Sequence, residues 1–81
     1  AKVGSTTKSA AEAVQINIRA EQDTIAEYEK LIQRIQANNP TPTVTSALAI
    51  QLINKIVADE HVHVCLLAEL AQSLGEEDTT L

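Results

Sequence analysis

The stretch Asn38-Asn39-Pro40-Thr41-Pro42-Thr43 divides the chain into two long segments that contain no other proline and no internal glycine. Each proline removes a backbone donor and biases the residue before it away from helical dihedrals, so no helix continues through this break. Segment one, roughly Ser9 to Ala37, follows a Ser/Thr cluster suited to N-capping and is rich in Ala, Glu, Gln and Ile. Segment two, roughly Thr45 to Leu74, is predicted to start from a Thr cap with a proline in its first turn and to stop at Gly75, a residue suited to the C′ position. The acidic stretch from Glu76 to Leu81 is expected to fray. This pattern predicts an all-α domain over residues 1–81: an antiparallel hairpin of helices near 9–37 and 45–74, each about 45 Å long.

Both segments carry apolar residues at alternating spacings of three and four, the seam of helices that pack almost along one another. In the first the seam runs Val14, Ile18, Glu21, Ile25, Tyr28, Ile32, Ile35; in the second it runs Ile53, Ile56, Glu60, His63, Leu67, Leu70, Leu74. Three ionisable residues, Glu21, Glu60 and His63, therefore occupy positions where the flanking pattern predicts buried aliphatic side chains. With the turn centred near Thr41, all three fall at one level of the hairpin to within roughly a helical turn. Glu60 and His63 stand three residues apart on one helical face, which lets carboxylate and imidazole converge on one ion. His61 points about 160° away from His63 and is left out of the site.

A lone hairpin buries one face of each helix and gains little stability. Segment two also has a row at seven-residue spacing beside the seam, Ile50, Val57, Val64 and Ala71, which a simple helix pair is expected to leave facing water. Two hairpins are thus expected to associate into a four-helix bundle, with a homodimer as the minimum unit and higher oligomers beyond it. Doubling the triad gives four glutamates and two histidines at mid-height. Oxygen donors with imidazole suit iron or manganese, and four carboxylates offset two divalent cations.

Composition agrees with this chemistry. Six Lys and Arg against eleven Asp and Glu give a formal net charge of −5, which attracts cations and argues against nucleic acid. Tyr28 is the only aromatic residue, so base-stacking platforms are excluded. Charged or amide side chains interrupt every apolar run, so no membrane span is expected, and AKVGSTTKSAAEA lacks the apolar stretch of a secretory signal. The lone Cys65 builds no intrachain disulfide and no four-cysteine centre; it reads as a small buried apolar residue in a chain of the reducing cytoplasm. The missing methionine at position 1 predicts a processed or excised chain.

Glu21 with Tyr28 seven residues on, in AEQDTIAEYEKLIQRI, followed by the ExxH within Asp59-Glu60-His61-Val62-His63, resembles the half-site of the ferritin-like superfamily found in bacterioferritins and rubrerythrins. The resemblance covers roughly residues 12–74, and with one hairpin per chain it is most similar to the encapsulated-ferritin type, in which two chains complete a di-iron site. It implies Glu21 as a terminal carboxylate ligand, Glu60 as a carboxylate bridging two irons, His63 as the imidazole ligand, and Tyr28 as a group beside the metal. It also implies ferroxidase activity with two irons per dimer and an encapsulin shell as a possible partner. A rubrerythrin-like peroxide reductase is the alternative oxidant chemistry, although the chain lacks the four cysteines of a rubredoxin centre. Haem held by methionine is excluded because the chain has none.

Blander roles stand beside these. Glu21 is equally at home paired with Arg19 or a partner chain, as a polar residue that fixes register in a non-catalytic dimerisation module. Asp59 either orients an imidazole from a neighbouring helix or lies on a solvated face. Glu12, Arg19, Asp23, Glu27, Lys30 and Arg34 read as an exposed, salt-bridged face.

Overall fold

The computed structural model describes the backbone of residues 9–80 and the side chains of residues 9–75. Helix α1 spans Ala10–Asn38 and helix α2 spans Val44–Thr80, and among the described residues there is no strand. Of the N-terminal Ser/Thr cluster only Ser9 belongs to the described residues. Ser9 caps α1 through a reciprocal box: its hydroxyl accepts from the Glu12 amide and its own amide donates to the Glu12 carboxylate, each at 3.0 Å.

Residues 39–43 turn the chain back. Asn39 closes α1, its side-chain amide donating to the Ile35 carbonyl at 2.8 Å and its backbone amide to Gln36 at 3.2 Å. Thr43 opens α2: the Ser46 amide donates to the Thr43 hydroxyl at 3.0 Å, and the Thr43 amide to the Ser46 hydroxyl at 2.9 Å. The cap is thus a Thr/Ser box, and Pro42 precedes the helix rather than lying in its first turn.

The α1 seam is the expected one, with Ile18 and Ile25 buried and Val14, Glu21, Tyr28, Ile32 and Ile35 half-buried. On α2 the seam is rotated. Ile53 and Ala71 are buried and Ile50, Val57, Glu60, Val64, Leu67 and Leu74 half-buried, so the row expected to face water faces α1 instead. Ile56, His63 and Leu70, assigned to the hairpin seam from sequence, are exposed. The physical reason is that the row Ile53, Glu60, Leu67, Leu74 is flanked by an apolar row on either side. Either choice completes a repeat of threes and fours, and periodicity alone does not select between them.

Two further expectations are corrected. Helix α2 does not stop at Gly75 but passes through it to Thr80, and no described glycine has a positive φ, so Gly75 is not a left-handed cap. The backbone of the acidic tail is helical to Thr80, and Leu81 lies outside the described residues. Cys65 is exposed rather than buried.

The hairpin is one layer thick, its Cα atoms spanning 13 Å along the shortest principal axis. A stable domain ordinarily stacks two layers. Few side chains are accordingly sealed from water, whereas Leu52, Leu66 and Leu70 stand on the surface. No described helix is long and apolar enough to cross a membrane.

Candidate metal centre

Three side chains from two helices converge halfway along the hairpin. Glu21 is delivered by α1 between the buried Ile18 and Ile25, which fix its height and rotation against α2. Glu60 is delivered by the inner face of α2, and His63 by the edge of that face. Nδ1 of His63 lies 3.0 Å from Oε1 of Glu60 and 4.0 Å from Oε2 of Glu21. One donor atom from each residue falls within 4.8 Å of the other two, and this is the one such group of three among the described residues.

Exposure is graded across the group. The Glu60 side chain is 17% exposed, Glu21 29% and His63 54%, so the carboxylates sit between the helices while the imidazole borders the open face. Glu21 and Glu60 crowd one another. Side-chain hydrogen bonding with Glu60 raises the Glu21 pKa above its ordinary value, reinforced by burial and by the charge of Glu60 and opposed by His63. The same hydrogen bond lowers the Glu60 pKa, and hydrogen bonding and charge from His63 act in the same direction against burial.

The donor set fits a divalent cation of borderline hardness. Metal–ligand bonds of about 2.1 Å span donors up to roughly 4.2 Å apart, so a side-chain adjustment of about half an ångström closes the present arrangement around one ion. Two carboxylates neutralise its charge. Three donors from one chain leave up to half of an octahedral shell to water or to other ligands.

Tyr28 lies two turns from Glu21 on the same face of α1, half-buried, and lines an open groove with Asp23, Thr24, Glu27, Leu31 and Arg34. Among the described residues no hydrogen bond joins Tyr28 to the triad. Arg19 is exposed, and Glu21 turns to Glu60 and His63. The expected charged face of α1 is exposed and includes a Lys30–Glu27 pair at 3.5 Å. Sequence reasoning missed that His63 stands on a second apolar row, with Leu52, Ile56, Leu66 and Leu70. The signal was present in the spacing of threes and fours along residues 52–70.

Comparison of the chain with models of known protein families, with curated proteins and with solved structures finds no match.

Proposed function

We propose that the chain is a di-iron ferroxidase subunit, in which Glu21, Glu60 and His63 of two copies hold a pair of Fe(II) ions and pass their electrons to dioxygen. The observation that carries this reading is the convergence of two carboxylates and an imidazole from separate helices on one point, in a chain with no other described group of this kind. Iron is the substrate. Two Fe(II) ions give up two electrons, which with two protons reduce one dioxygen to hydrogen peroxide and leave two Fe(III). The chain supplies charge balance through four carboxylates per dimer and positions both ions beside one oxidant. Manganese suits the same donors.

The half-site resembles that of ferritin-like proteins in residue order, and two such hairpins would complete the encapsulated-ferritin arrangement. Tyr28 is proposed as a neighbouring group close to the ions. A dimer of this size encloses no space for a mineral, so iron storage would use a larger ring of dimers or an encapsulin shell in the cytoplasm, and detoxification would need neither.

The test is stopped-flow oxidation of Fe(II) by dioxygen with the intact chain and with Glu60→Ala and His63→Ala. The expected result is saturable oxidation that both substitutions reduce to the rate of free iron. Unchanged oxidation in either variant overturns the assignment. Turnover with hydrogen peroxide and none with dioxygen would move it to peroxide reduction. A dimerisation module remains the second reading, because His63 and Glu60 hydrogen-bond to one another without metal; such a module binds no stoichiometric metal.

A further inference from the structure

An exposed flank of α2 has an internal symmetry. Leu52, Ile56, Asp59, His63, Leu66 and Leu70 follow one another at alternating spacings of four and three, which places them on one stripe of a helix. Their exposures show that the stripe is open to solvent, Leu52 55%, Ile56 40%, Leu66 59% and Leu70 47%, along the flank of α2 where His63 borders the row that faces α1. Taken in pairs, Leu52 and Leu70, Ile56 and Leu66, and Asp59 and His63 lie equally far on either side of His61. The stripe therefore reads the same from either end, apolar against apolar and acid against imidazole.

We infer that this stripe docks against the same stripe of a second copy, running antiparallel about a two-fold axis that crosses α2 at the height of His61. An antiparallel pair of helices brings residues into register when they stand at equal distances from the axis. Leu52 then meets Leu70 of the second copy, Ile56 meets Leu66, and Asp59 meets His63. The only two polar residues on the stripe are exchanged by the same operation, and they are complementary in chemistry. Asp59, which has no ion pair or hydrogen bond among the described residues, gains one acceptor role toward the imidazole of the second copy. A parallel pair would instead set Asp59 beside Asp59 and His63 beside His63. The arrangement covers the leucines that a single hairpin leaves in water and closes the open side of His63. It takes from the metal reading only that two copies meet at His63; the register comes from the stripe.

The register is tested by disulfide trapping in a Cys65→Ser background, with chelator present so that metal plays no part. Leu52→Cys and Leu70→Cys are introduced singly and together, and dimers are scored after oxidation with diamide. The two positions lie about 27 Å apart along one helix, so no disulfide forms within a chain. The expected result is a covalent dimer from the double variant and at least tenfold less from each single variant. Trapping of Leu52→Cys alone at the level of the double variant indicates parallel helices and overturns the proposal, as does a chain that stays monomeric at micromolar concentration. If cysteine perturbs folding, Leu52→Glu and Leu70→Lys give an independent reading: each alone should weaken the dimer and the two together should restore it. Dimers trapped in this register by a chain that binds no iron would sink the ferroxidase reading alone. Stoichiometric iron without such trapping would sink the register alone.

Discussion

At the residue scale the metal-free triad is a balance between two titrations of opposite sign. Glu60, with its pKa lowered, contributes stability above its unfolded value near 4.5, and that contribution is lost as pH falls through its folded value. Glu21, with its pKa raised, does the reverse: its contribution is full below 4.5 and is lost as pH rises through its folded value. Glu21→Gln keeps a donor for Glu60 and removes the opposing titration. In chelator, thermal melts of this variant should match the native chain near pH 4.5 and exceed it near neutrality, while iron binding falls at least tenfold. A variant less stable than the native chain at neutral pH would show that the two carboxylates do not share a proton.

At the element scale, two helices and the single break were legible because prolines and capping side chains act locally. The phase of α2 was not, since its inner and outer rows are both aliphatic and the choice depends on what α1 offers. Glu21 and Glu60 were legible as intruders on a shared row, and His63 was legible as their neighbour but not as a border residue. Gly75 misled for a related reason: glycine permits a left-handed cap without requiring one. A Cβ at Gly75 meets nothing within 4 Å, and the helix continues through it. Gly75→Ala should therefore stabilise the chain by about 0.5–1 kcal/mol in denaturant melts. Destabilisation would place the end of α2 at Gly75 after all. In the hairpin interior, Ile25→Ala should cost about 2–3 kcal/mol, the lower part of the range for buried aliphatic truncations, because the one-layer core collapses easily around the gap.

At the scale of the whole molecule, a layer 13 Å thick leaves leucines exposed along one face, which the proposed dimer would cover. The apolar stripe of α2 and the open side of His63 share one surface, so in the proposed dimer association and completion of the metal centre would be one event. Metal should then stabilise the dimer with the logarithm of its concentration relative to Kd, by about 2.7 kcal/mol at a hundredfold excess. The most direct measurement is anaerobic titration of the intact chain with Fe(II), with solution mass recorded at each step. Saturation at one Fe(II) per chain, on a species of twice the chain mass and lost in His63→Ala, is the expected result. Fe(II) that binds without saturation, or binds equally well to His63→Ala, would contradict the proposed centre.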